Sequence, residues 1–196
     1  MKKCLIFAAL FAASIGVSAQ TMKVQSAYSD MKNDRWKNAM ANIEEACVND
    51  KTKEDPKTWN YAGLIYAKFV ELSLSDNPKD QKLLKKQKVD TPIPELANKA
   101  QDALIKSLEL EKKAGTNEFT SVSMGALTFI SGYQLERAIN DFNAGKYQEA
   151  IPVFEKAIDA SKACKRAEVK DKARQAKILI QESLVKTDLQ ARKVRQ

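Results

Sequence analysis

Three cysteines, scattered carboxylates and a run of lysines and arginines near the end are the residues here with reactive chemistry to offer. Histidine is absent from all 196 residues, which removes the usual general base near neutral pH and the commonest metal ligand. Cys47 and Cys164 each fall late in a predicted helix beside alanines. There a cysteine is expected to serve as a small buried hydrophobe, with a disulfide as the other reading. Adjacent acids such as Glu44/Glu45 and Glu54/Asp55 point apart on a helix, so they make poor acid–base pairs. No histidine stands by to activate Cys47, and neither a glycine-rich phosphate loop nor a C-x-x-C spacing occurs. The expectation is no catalytic constellation, no metal site and no cofactor. What remains is the holding of another molecule.

Charge is unevenly spread. Residues 20–160 hold 20 Lys/Arg against 21 Asp/Glu, whereas residues 161–196 hold 11 against 4. A charge-driven partner is therefore expected to meet the tail. Lys165, Arg166, Lys170, Lys172, Arg174 and Lys177 span about three helical turns, and Arg192, Lys193 and Arg195 follow. A solvated helix face is one reading, and contact with an anionic membrane surface or an acidic protein the other. No aromatics alternate with these charges, so nucleic acid is not expected.

The elements that would position such residues are helices. Gly and Pro number only 6 and 5, while Ala, Lys, Glu, Leu and Gln abound. Residues 1–19 stand apart: Lys2 and Lys3 precede an apolar run from Leu5 to Val17, and Val17-Ser18-Ala19 supplies small residues for cleavage after Ala19. This reads as a secretory signal peptide, which makes the chain exported, periplasmic or otherwise extracytoplasmic. Cys4 precedes the apolar run and so is not placed for lipoprotein acylation.

A spacing recurs along the rest. Gly145-Lys146-Tyr147-Gln148-Glu149-Ala150-Ile151-Pro152-Val153-Phe154-Glu155-Lys156-Ala157 reads G-x-Y-x-x-A-x-x-x-F-x-x-A. Gly145 permits a left-handed turn between antiparallel helices. Tyr147 fills the wedge, Ala150 and Ala157 allow close approach, and Phe154 shares their face. From Asp34, the residues Trp36, Ala39, Ile43 and Ala46 repeat that pattern. Trp59, Ala62, Gly63 and Tyr66 supply a first-helix counterpart, W-x-x-A-G-x-x-Y, with a weaker second-helix partner at Ala100, Leu104, Ser107 and Leu108.

These residues resemble tetratricopeptide repeats across most of residues 20–163. The layout, including Ser18-Ala19-Gln20, Asp55-Pro56-Lys57-Thr58-Trp59 and Asn143-Ala144-Gly145-Lys146-Tyr147, is similar to exported repeat proteins of Bacteroidetes-type bacteria. The resemblance implies an all-α helical-hairpin solenoid of about three degenerate repeats. Residues 75–93 form an insertion with a short basic helix near Lys79–Lys88, and residues 164–196 a basic C-terminal helix that caps or solvates the end. The other helices are expected at about Met22–Met31, Trp36–Val48, Pro56–Leu74 and Pro94–Lys113, then a long one capped by Thr116 or Asn117 and reaching Asn143, either continuous or broken near Gly132, and Tyr147–Ala163. Ser121, Gly125, Ser131 and Gly132 suggest either a close approach to a neighbour or plain helix weakening.

The resemblance also implies a partner groove lined by first helices, taking a protein or peptide. By family register its residues are Lys57, Asn60, Leu64, Ala67 and Lys68, then Gly132, Leu135, Ile139, Phe142 and Asn143. Lys57 and Asn60 only partly match the family's carboxylate clamp. The apolar stripe Leu135, Ile139 and Phe142 is open either to the chain's own tail helix or to a partner.

Overall fold

A computed structural model describes residues 21–164 and 167–194, with side chains in the last stretch from Asp171 onward. The expected signal peptide and its expected cleavage point, Lys165, Arg166, the side chain of Lys170, and Arg195 lie outside the described residues. Every regular element among the described residues is α-helical: α1 (residues 21–32), α2 (Trp36–Val48), α3 (Pro56–Leu74), α4 (Pro78–Gln87), α5 (Ile93–Ala114), α6 (Thr120–Asn143), α7 (Tyr147–Cys164) and α8 (Ala167–Val194).

Local chemistry sets the boundaries. Asp55 caps α3 by accepting from Lys57 N at 2.9 Å, and Pro56 takes the first position, where a missing N–H costs nothing. Asn77 and Pro78 do the same for α4. Gly115 (φ +70°) and Gly145 (φ +77°) adopt the left-handed conformation in the turns after α5 and α6, and α6 runs unbroken through Gly132.

Neither Thr116 nor Asn117 caps α6, contrary to the sequence expectation. The helix starts at Thr120 and Phe119 offers no capping side chain. Glu111, 1% exposed on α5, reaches across instead and accepts from Phe119 N and Thr120 Oγ1, each at 2.6 Å. Glu111→Ala would leave both half-buried donors without this acceptor. We expect it to lower stability by about 2 kcal/mol in urea unfolding, with Glu111→Gln losing less because an amide oxygen still accepts.

Packing follows chain order. Lys23 pairs with Glu45 and donates to Asn42, and Asp30 accepts from Asn42 Nδ2 at 2.9 Å, which lays α1 along α2. Then α2 packs on α3, α3 on α5, α5 on α6, α6 on α7 and α7 on α8, with further contacts α3–α6, α5–α7 and α6–α8. The repeated small and apolar positions meet inside: Ala39, Ile43, Ala46, Ala62, Ala150, Phe154 and Ala157 are all fully buried, and Trp36 and Tyr66 nearly so. Trp59 is half-buried and donates its indole N–H to Lys53 O at 2.6 Å. A Cβ on Gly63 would lie 2.5 Å from Leu104 Cγ, so α3 and α5 approach through that glycine. The expected close approach along α6 occurs at buried Ser131, which donates to Ala157 O at 3.3 Å, whereas a Cβ on Gly125 would meet nothing within 4 Å.

Candidate partner-binding cleft

Four helices leave a cleft open beside this core. Tyr28, Met31 and Lys32 share one face of α1 at i, i+3 and i+4. Asn60, Tyr61 and Leu64 face them from α3, Trp36 comes from α2, and Glu118, Phe119 and Val122 come from the entry to α6. The space is about 510 Å³, within the range of small ligand or side-chain pockets.

Its wall is aromatic. Tyr28 stacks on Tyr61 with centroids 5.2 Å apart and planes inclined 21°, and Tyr61 meets Phe119 edge-on at 6.4 Å. Such rings supply contact area at low entropic cost, with a polar tip on each tyrosine. Cations stand over the rings: Lys32 over Tyr28 (5.4 Å), Lys57 over Tyr61 (5.8 Å) and Lys68 over Trp36 (6.0 Å). Burial chiefly, then Tyr28, Glu118 and Asp55, pushes the Tyr61 phenol upward, so it stays a neutral donor through physiological pH.

Some expected groove residues gather here. Leu64 lines the cleft, Lys57 sits on the Tyr61 ring, and Lys68 lies over Trp36 while pairing with Glu71 at 2.7 Å. Asn60 is 2% exposed and donates to Ser123 Oγ at 2.8 Å; Ser123 reaches Ser107, which donates to Pro56 O at 3.0 Å. Its amide therefore ties α3 to α6 beneath the cleft, and it is the floor rather than a projecting clamp. Ala67 is buried in the core.

The second half of the expected groove is corrected by α8. Leu135 and Phe142 are buried, and with Ile139 they pack beside Ala173, Ala176, Leu179 and Ile180 of α8. Lys186 Nζ stands 4.0 Å above the Phe142 ring, and Lys172 Nζ lies 2.9 Å from where a Cβ on Gly132 would sit. The chain's own tail helix has taken this stripe, because its apolar face matches it. Only Asn143 of the group stays exposed, at the end of α6.

Sequence reasoning missed Tyr28, Tyr61 and Phe119. Tyr61 occupies an unassigned position in W-x-x-A-G-x-x-Y, and Tyr28 and Phe119 match no repeat position. Bulky aromatics outside the packing pattern were the available signal.

The charged side chains lining the cleft are Lys32 and Glu118, and neither Cys47 nor Cys164 reaches it. Among the described residues no three Cys, Asp or Glu side chains come close enough to hold a metal ion, and no helix is long and apolar enough to cross a membrane. Both Cys47 and Cys164 are thiols, without a disulfide. Cys47 lines a small pocket together with Trp59 and Tyr66, and burial first and Glu44 second push its thiol from 9.0 up to about 12. Folding thus holds the proton that an unfolded chain releases above about pH 9, and stability drains away as pH rises from there toward 12. At pH 8 iodoacetamide should label Cys47 far more slowly in the native protein than in urea. Equal rates would contradict the half-buried, protonated thiol.

Comparison of the chain with protein-family models, with curated proteins and with solved structures finds no match.

Proposed function

We propose that this chain is an exported scaffold of the tetratricopeptide type that holds a protein or peptide segment in the aromatic cleft between α1, α3 and α6. The observation that carries this reading is the Tyr28–Tyr61–Phe119 cluster, a set of rings that line an open space rather than fill the core. Aromatic side chains in a recessed pocket are the usual anchors of recognition. The hairpin-solenoid reading is supported by the order of contacts. First helices α3 and α6 touch one another, second helices α5 and α7 touch one another, and each hairpin follows the last. Helix α4 interrupts the second hairpin as an insertion, and α8 closes the end.

Contact with an anionic membrane surface through the C-terminal helix is the weaker alternative. Of the tail's cations, Lys172 and Lys186 turn onto α6 and Arg192 is paired with Asp188 at 2.8 Å.

The reading is tested by photo-crosslinking in cells from Val122, half exposed at the cleft, with Val48 at the exposed end of α2 as control. Adducts from Val122 that are missing from Val48 and vanish in Tyr61→Ala are expected. Identical adducts from both positions, or none from Val122, would contradict it.

A further inference from the structure

The net charge of residues 20–160 is close to zero, yet α4 concentrates cations. Lys79, Lys82 and Lys86 share a face at i, i+3 and i+7, with Lys85 beside them, while Leu83, Leu84 and Gln87 turn toward the core. Among the described residues none of these lysines, nor Lys37, makes an ion pair. Like charges one turn apart on a helix repel, so α4 carries an unfavourable term that a bound anion would remove.

A built cavity lies at one end of this face. Gln87, 7% exposed, accepts from Lys37 N and donates to Asp34 O, each at 3.0 Å, and Lys37 Nζ donates to Lys88 O at 3.1 Å. These bonds fix α4 against the turn between α1 and α2. Beside them lies an open pocket of about 360 Å³ whose wall includes Arg35, Lys37 and Lys86. Asp34 also lies in the wall, its carboxylate accepting the Trp36 indole N–H at 3.2 Å. Arg35 holds Asp30 through Nε at 2.7 Å, leaving its two Nη groups outside that bond.

We propose that this cavity is a binding site for a phosphate group, borne by a lipid headgroup or by a soluble phosphate, with Arg35, Lys37 and Lys86 as its ligands and Lys79 and Lys82 extending the attraction along α4. A guanidinium fork and ammonium point charges are the donors phosphate chemistry takes, and an uncompensated cationic surface draws anions from a distance. The site is separate from the aromatic cleft and does not depend on its occupant.

The test uses the purified protein in two arms. The first is flotation with phosphatidylcholine vesicles with and without phosphatidic acid. The second is inorganic pyrophosphate titrated while the amide resonances of Lys37 and Gln87 are followed. Binding to acidic vesicles should fall at least tenfold in Lys82→Gln/Lys86→Gln, weaken steeply with salt, and stay unchanged in the tail variant Lys177→Gln/Lys193→Gln. Shifts at Lys37 and Gln87 with pyrophosphate that disappear in the α4 variant assign the site to soluble phosphates. Vesicle binding without such shifts assigns it to the headgroup. Failure of both ligands to bind, or full binding by Lys82→Gln/Lys86→Gln, overturns the proposal.

Discussion

Gly63→Val should be among the most damaging single substitutions in this chain. A Cβ at that position would already lie 2.5 Å from Leu104 Cγ, 2.6 Å from Leu104 Cδ2 and 3.3 Å from the Ala100 carbonyl oxygen. Leu104 is fully buried and cannot swing into solvent, so α3 and α5 must move apart. Overpacking of that kind costs about 1–3 kcal/mol and more where backbone stands in the way. A Tm lower by roughly 2–4 °C per kcal/mol is expected for a chain of this size. Coupling identifies the cause: when Leu104→Ala is combined with Gly63→Ala, the two should cost less together than the sum of the single changes. Simple additivity would mean that the glycine acts through backbone freedom instead.

Tyr61→Ala carries the largest expected effect on binding. Its ring is shared by Tyr28, Phe119 and Lys57, so truncation removes the stack, the edge contact and the cation's platform together. Central aromatic anchors cost about 2 kcal/mol or more when cut to alanine, which is a loss of roughly thirtyfold in affinity for the captured partner. Tyr61→Phe keeps the ring and should stay within about threefold of the native affinity. Since Tyr61 also packs against the core, the melting temperature of each variant must accompany its affinity. Lost affinity in a protein that still melts cooperatively is the expected result. Undiminished affinity in Tyr61→Ala would remove the cleft from recognition.

How much of this was readable in the residues depends on the range of the interactions. The limits of α2 and α3 were legible because Asp55, Pro56 and the apolar period act within a few residues. Buried alanines were legible for the same reason, since Ala39, Ala46, Ala150 and Ala157 lie at helix spacing from large apolar partners. The start of α6 was not, because its cap, Glu111, belongs to the preceding helix. Nor was the cleft, whose rings come from α1, α3 and the entry to α6 and meet only once the helices stack. The disposition of the charges was legible only in part. Counting charge along the chain averages the lysines of α4 against acids elsewhere, and cannot see that Lys172 and Lys186 fold back onto α6.

The most direct test of the cleft is backbone hydrogen exchange on the protein alone and with the partner captured from Val122. Added protection confined to α1, the first half of α3 and residues 118–122 is the expected result. Protection that falls on α8 or α4, with the cleft helices exchanging as before, would contradict it.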